Sequence, residues 1–403
     1  MRVAGGIPRY RNWQGPALLR QGFRPFFLAA GLWAAGALLL WLAMLEGTAT
    51  LPTAFDPLTW HAHEMLFGFA AAAVAGFLLT AVPNWTGRMP LQGVPLAGLV
   101  SLWLVGRVAV AFSDMIGPPV AAALDLAFLT VLLGAVLREI LAGRSWRNLP
   151  ICFAVTMLLL ANALVHADVI GLAPTGPAGI RLGIAVMICL ITLVGGRIIP
   201  SFTANWLRKR GETRLPASFG RFDQAAIALT IAALAAWTVA PEAPLTAAAA
   251  LAAGLANTLR LARWRGQRTL AEPLVTVLHL GYAWVPIGLL LTGVGAFAPD
   301  LVPPVAGLHA LTAGAIGTMT LAVMTRATLG HTGQALTAGA GTVAIYACVT
   351  LGALLRVIAP IMPDLSLLPL SGTLWTLAFL LFAALYGPLL CRAELGRAPK
   401  MPA

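Results

Sequence analysis

Long apolar runs, separated by short clusters of Pro, Gly and charge, set the pattern of this chain. A membrane-crossing helix needs about 20 predominantly apolar residues. Twelve runs meet that need: 26–45, 58–82, 94–112, 119–141, 149–167, 182–200, 223–240, 243–260, 272–293, 304–326, 336–358 and 366–390. The seventh and eighth are short and Ala-rich and carry the weakest signal. No gap between runs is long enough for a soluble domain. The pattern predicts an all-α polytopic membrane protein, with residues 1–403 forming one integral membrane domain of about 12 helices.

A second pattern recurs every four runs. The second run closes on Val82-Pro83-Asn84-Trp85-Thr86-Gly87-Arg88, and the sixth on Ile199-Pro200-Ser201-Phe202-Thr203-Ala204-Asn205-Trp206. The tenth is followed by Leu329-Gly330-His331-Thr332-Gly333-Gln334. Three arcs of four helices would produce this recurrence. Ordinary helix termination by Pro and Gly would produce it equally well.

Composition and charge refine the class. Of 403 residues, 59% are apolar and 10% charged, with a mean hydropathy of +0.87. Soluble domains average about 25% charged residues, so an ordinary soluble enzyme and a disordered chain are excluded. The net charge of +12 is explained by topology and does not signal nucleic acid. Arg88, Arg138, Arg144, Arg147, Arg208, Lys209, Arg210, Arg214 and Arg221 lie in even-numbered gaps. Arg260, Arg263, Arg265, Arg268 and Arg326 continue the series, and Arg2, Arg9, Arg11, Arg20, Arg24, Arg392, Arg397 and Lys400 mark the termini. Odd-numbered gaps carry Glu46, Asp56, Asp114, Asp168, Glu242, Asp300 and Asp364. The excess of Lys and Arg on one side places both termini in the cytoplasm. Met1–Arg24 lacks the apolar core of a secretory signal. Cys152, Cys189, Cys348 and Cys391 sit singly in apolar runs, which indicates neither a disulfide framework nor a zinc knot.

Against so little charge, ionisable residues inside the runs stand out as candidates for function. His61 heads a face of small and flexible residues, Met65, Gly68, Ala72, Ala75 and Gly76; His309 heads Ala313, Ile316, Gly317, Thr320 and Met324. Small residues let helices approach closely and equally leave room for a flat macrocycle. Imidazole is a common axial ligand of haem iron, so His61 and His309, at similar depth in the second and tenth runs, are candidate haem ligands. His63 points to another side of its helix, with Glu64 on a third. His63 and His279 are candidate ligands for a second metal, for which copper is the natural imidazole-bound ion; proton transfer is the other reading of the His63–Glu64 pair. Arg107 and Arg356 are candidate partners for haem propionates, since Arg binds carboxylates bidentately. Asp125 would neutralise Arg107 instead, and Arg356 would snorkel to the interface. His166 and His331 read as interfacial polar residues. Arg197 and Arg326 read as topology anchors, or as an inner polar site with Asn84, Asn205 and His331.

Several segments resemble the NnrS family. They are Gly22-Phe23-Arg24-Pro25-Phe26-Phe27, Trp60-His61-Ala62-His63-Glu64-Met65-Leu66-Phe67-Gly68, and Ala81-Val82-Pro83-Asn84-Trp85-Thr86-Gly87. Gly196-Arg197-Ile198-Ile199-Pro200-Ser201-Phe202-Thr203 and the stretch from His309 to Gly333 complete the set. The resemblance covers nearly the whole chain. It implies a polytopic bacterial inner-membrane protein carrying haem and copper, linked to denitrification and to nitric oxide tolerance. A weaker likeness is to the haem-copper oxidase catalytic subunit, which also has twelve helices in three arcs and a haem held from its second and tenth helices. The sixth and seventh runs here have no His and the tenth has one, so the oxygen-reducing centre of those oxidases is not expected.

These readings converge on haem b between the second and tenth helices, with copper as a second cofactor, acting on nitric oxide or nitrosyl species. Two rivals remain: a quinol-fed nitric oxide-consuming oxidoreductase, and a twelve-helix transporter without redox function. A transporter predicts two homologous six-helix halves, whereas the recurrences here come every four.

Overall fold

The computed structural model describes residues 13–392. The N-terminal and C-terminal basic residues Arg2, Arg9, Arg11, Arg397 and Lys400 lie outside the described residues. Backbone polar groups in lipid must be satisfied within the chain, which favours helices. Among the described residues there is no strand, and twelve helices are long and apolar enough to cross a membrane. They are α1 (Phe23–Leu45), α2 (Pro57–Thr86), α3 (Val94–Ala111), α4 (Pro118–Ala142), α5 (Trp146–Val169) and α6 (Ala178–Lys209). Then follow α7 (Arg221–Val239), α8 (Pro244–Arg268), α9 (Pro273–Phe297), α10 (Pro304–His331), α11 (Ala340–Ile358) and α12 (Leu368–Cys391). Each matches one apolar run, including the weakly marked seventh and eighth. The four cysteines are free.

The longest helices are α2, α6 and α10, at 30, 32 and 28 residues, while α6 and α8 run furthest past their expected ends, to Lys209 and Arg268. Pro83 and Pro200 do not stop their helices but lie inside them. The stop in α2 comes at Gly87, whose φ of 68° is open to glycine and strained for other residues. Its start is set by Asp56, whose side chain accepts from the Leu58 and Thr59 amides at 3.0 and 3.1 Å, with Pro57 at the first helical position.

The chain divides into two compact units. Among the described residues the first comprises 13–176, Met324–Leu336 and 382–392, so it holds α1–α5 and the C-terminal ends of α10 and α12. Its core is aromatic: Phe26 and Phe27 of α1 are buried, and a Cβ on Gly76 of α2 would lie 2.7 Å from the Phe27 ring. Arg24 is fully buried and donates to the carbonyls of Leu389, Leu390 and Arg392 at 3.2, 3.0 and 2.9 Å. It satisfies carbonyls that the end of α12 leaves without intrahelical partners, a role other than the surface anchor its position in the sequence suggests. Leu104, Val105 and Val108 of α3 are exposed, as a lipid-facing stripe would be.

The second unit comprises Pro177–Val323 and Thr337–Leu381. Its tightest packing is between α8 and α9, where glycines and leucines interlock reciprocally. A Cβ on Gly254 would meet Leu290 at 2.7 Å, and one on Gly293 would meet Leu251 at 2.6 Å. Without a hydrophobic drive between helices in lipid, close backbone approach of this kind supplies much of the association.

Candidate functional site

The three long helices share a feature that no sequence pattern announces. Each contains a π-helical segment: Glu64–Ala70 in α2, Ile191–Gly195 in α6 and Ala310–Gly317 in α10. π-bulges insert an extra residue into the hydrogen-bond ladder and frequently occur at functional sites. They fall in every fourth helix, which matches the recurrence in the sequence and gives it a conformational counterpart. His61 stands three residues before the α2 segment, and His309 immediately before the α10 segment.

The α2 segment opens onto a buried polar cluster. Glu64 is the first π residue, and Arg107 from α3 donates to its Oε1 at 2.7 Å. Arg107 also donates to Asp125 Oδ1 from α4. His63 Nδ1 lies 3.0 Å from Glu64 Oε1, and its Nε2 lies 3.1 Å from Asp125 Oδ2 and 2.9 Å from Asn162 Oδ1. His166 Nε2 reaches the same Asp125 Oδ2 at 3.0 Å, and Asn162 Nδ2 donates to it at 2.8 Å. Trp33 of α1 donates to Glu64 Oε2 at 2.7 Å. His63 and Glu64 are fully buried, Arg107, Asp125 and Asn162 are 1% exposed and His166 is 2% exposed. Charges removed this thoroughly from solvent persist only when paired and hydrogen-bonded. The cluster meets that condition with one guanidinium bridging two carboxylates.

The surroundings explain how the cluster is held. Trp103 of α3 donates to the Gly68 carbonyl inside the π segment at 3.0 Å, stabilising the altered ladder from a neighbouring helix. Gly68 and Gly106 make room: a Cβ on Gly68 would lie 2.5 Å from Trp33 Nε1, and one on Gly106 would lie 2.8 Å from Asp125 Oδ1. Phe55 packs edge-on against the His63 and His166 rings, with centroids 5.1 and 5.5 Å apart. Among the described residues, His63, Asp125 and His166 form a group whose ligand atoms lie within 4.8 Å of one another, close enough to hold one metal ion.

The sequence candidates are distributed as follows. His63 and Arg107 are in the cluster, and Asp125 pairs with Arg107 as the alternative reading expected. His61 is half-buried and lies outside the cluster, its ring stacked on Trp41 at a centroid distance of 3.9 Å. His309 is half-buried in the second unit. The small faces below both histidines are occupied by rings of the chain itself. Trp33 fills the space at Gly68, Phe27 that at Gly76 and Trp375 that at Gly317. His279 is buried in the second unit with its Nε2 2.8 Å from Thr203 Oγ1, and a Cβ on Gly266 would lie 2.6 Å from its Nδ1. Arg356 is half-buried near the end of α11. Arg197, Asn84, Asn205 and His331 are exposed, and Phe23 packs against the His331 ring.

Two buried polar arrangements were not placed by the sequence reading. His166 reads as an interfacial residue, yet it is buried on Asp125. The available signal was its spacing from Asn162: four residues apart in an apolar helix, the two share one face. The second is a network around Arg260, a residue that the sequence places among the topology anchors. Arg260 is fully buried in the second unit and donates to Asp223 at 3.1 Å, to Tyr282 Oη at 2.9 Å and to the Thr192 carbonyl at 3.0 Å. Tyr282 donates onward to Asn257 at 2.7 Å. Thr192 lies in the α6 π segment, so an arginine supports that segment as Trp103 supports the one in α2.

Fold and site together define a polytopic helical membrane protein with interrupted helices and a buried ionisable centre. The family model described as NnrS protein matches residues 17–394. The chain belongs to the NnrS family, and membership supports a membrane protein of the nitric oxide response. A search of curated proteins finds no match.

Proposed function

We propose that the protein binds haem b through His61 and His309, and that redox chemistry at this haem acts on nitric oxide or a nitrosyl species, with copper as a second metal. The observation that carries the reading is the matched position of the two histidines, each at the head of a π-interrupted helix. The donor set fits: two imidazoles are sufficient axial ligands for haem iron. Stacking on Trp41, with centroids 3.9 Å apart, orients the His61 ring. The glycines below the histidines, Gly68, Gly76 and Gly317, are packed by the chain's own aromatic rings, so those positions would not hold the haem.

When bound, haem supplies a one-electron centre with affinity for nitric oxide in its ferrous form. The chain's own residues orient the imidazoles: Trp41 fixes the His61 plane, and the altered ladder after each His sets its direction from the helix. A haem held by both histidines would supply electron transfer or sensing. A quinol-fed oxidoreductase would need the same haem with a proton input. A transporter predicts a repeat every six helices, whereas the π segments recur every four.

The test is a reduced-minus-oxidised spectrum of the purified protein. Haem bands in the parent, lost in both His61→Ala and His309→Ala, are the expected result. A parent without bands, or bands surviving in either variant, rejects the ligand assignment. Amperometric loss of nitric oxide with reduced quinol separates turnover from response.

A further inference from the structure

We infer that His63, Asp125 and His166 form a mononuclear site for a divalent first-row transition-metal ion, separate from any haem. The site would supply the ligands of the second metal in the reading above, and its geometry does not depend on haem ligation by His61 and His309.

Convergence is the first argument. His63 Nε2 and His166 Nε2, from α2 and α5, lie 3.1 and 3.0 Å from one carboxylate oxygen of Asp125 in α4. Ligands bonded at about 2.1 Å are about 3.0 Å apart at neighbouring octahedral positions and about 3.4 Å apart in a tetrahedron. The two His-to-Asp spacings match neighbouring octahedral positions and are slightly compressed for tetrahedral ones, and the three ligand atoms lie within 4.8 Å of one another. Asn162 Oδ1, 2.9 Å from His63 Nε2, is a further oxygen donor beside the group. Two imidazoles and one carboxylate form the donor pattern of non-haem iron sites and also suit zinc or copper.

The surrounding bonds are those a metal site requires. A ligating histidine usually gives its other ring N–H to a carboxylate or carbonyl, which fixes its tautomer and orientation. His63 Nδ1 faces Glu64 Oε1 at 3.0 Å, and Glu64 is itself held by Arg107 and Trp33. Arg107 also steadies Asp125 through the oxygen that does not face the histidines. Charge points the same way. With neutral imidazoles, two buried carboxylates face one guanidinium, and the remaining negative charge calls for a cation. That cation is either a metal ion or a proton on histidine, and the test distinguishes them.

The experiment uses the full chain in detergent micelles. Metal content is measured first; the protein is then stripped with chelator and titrated with Co2+, whose visible d–d bands report coordination. We expect one equivalent of Co2+ with bands that differ from those of the free ion. His166→Ala should lower Co2+ affinity about 100-fold or more, and Glu64→Gln about 10–100-fold, as outer partners of metal-bound histidines do. His166→Asp, which restores an oxygen donor, should recover part of the affinity. Folded parent protein that contains no metal and takes up no Co2+ overturns the proposal in favour of a proton. Unchanged binding in His166→Ala, folded by thermal melting, overturns the ligand assignment. The haem spectrum separates the two readings. Haem lost with His61→Ala while Co2+ binding persists, or a parent without haem that binds Co2+, supports this site whatever becomes of the haem.

Discussion

Arg107→Met tests whether the cluster is as tightly coupled as its geometry implies. The substitution keeps most of the side-chain length but removes the only guanidinium bridging Glu64 and Asp125, in a place where Arg107 is 1% exposed. Removing one partner of a buried ion pair costs about 3–5 kcal/mol, because the remaining charge stays buried without compensation. Here two carboxylates are stranded, so the upper part of that range applies. Ordinary interhelical hydrogen bonds in membranes average only about 0.6 kcal/mol, which makes the two cases easy to tell apart. At roughly 2 °C per kcal/mol or more, a cost of about 4–5 kcal/mol should lower the melting temperature in detergent by roughly 8–10 °C. Adding Asp125→Asn and Glu64→Gln removes the stranded charges and should return much of the loss, a non-additivity that a mutant cycle measures. A loss below about 1 kcal/mol, the scale of an exposed ion pair, together with additive multiple variants, would show that the cluster is not a coupled unit.

Three further outcomes are expected. Gly196→Ala places a methyl 2.0 Å from an Arg260 guanidinium nitrogen and should destabilise by about 1–3 kcal/mol through overpacking; Gly98→Ala, with nothing within 4 Å, serves as the neutral control in the same melt. Arg24→Leu removes the donor to three carbonyls at the end of α12, so amide exchange in the last turn should accelerate while the middle of α12 keeps its protection. Asp56 gives a pH dependence. Burial tends to raise its carboxyl, but hydrogen bonds from the Thr59 hydroxyl and amide and the Leu58 amide hold it below the ordinary value. A depressed carboxylate stabilises above the unfolded value of about 3.9 and loses that contribution as pH falls through the folded value. The melting difference between parent and Asp56→Asn should therefore shrink from about pH 6 to about pH 3, and a constant difference would contradict the assignment. Asp56→Ala should cost about 1 kcal/mol, as loss of an N-cap does.

Membership of the family and the membrane architecture were both legible in the sequence, for different reasons. Motif strings such as Trp60-His61-Ala62-His63-Glu64 carry the likeness directly. The candidate site was legible only in part. The Arg107–Asp125 pairing could be anticipated because both are charges stranded in apolar runs, and two such charges of opposite sign seek one another. His166 and Asn162 joined them unannounced. A histidine near a helix end reads as interfacial until the helix facing it is known, and α4 decides that here by presenting Asp125. Arg24 and Arg260 show the same ambiguity in reverse. Both stand where orientation-setting arginines stand, yet one caps α12 and the other supports a π segment.

The sequence by itself determined the number of crossings, the family and the short list of residues able to do chemistry. Hydrocarbon forces each crossing to satisfy its own backbone, so run length alone fixes a helix. Tertiary structure alone decided the course of α2, α6 and α10 through their prolines and the placing of π segments. The Gly68 and Thr192 carbonyls, which already accept the Ala71 and Gly196 amides, each take a further donor from another helix, Trp103 and Arg260. It also decided that His63, Asp125 and His166 meet. They are brought together by three helices distant in sequence, and no spacing along the chain encodes that convergence.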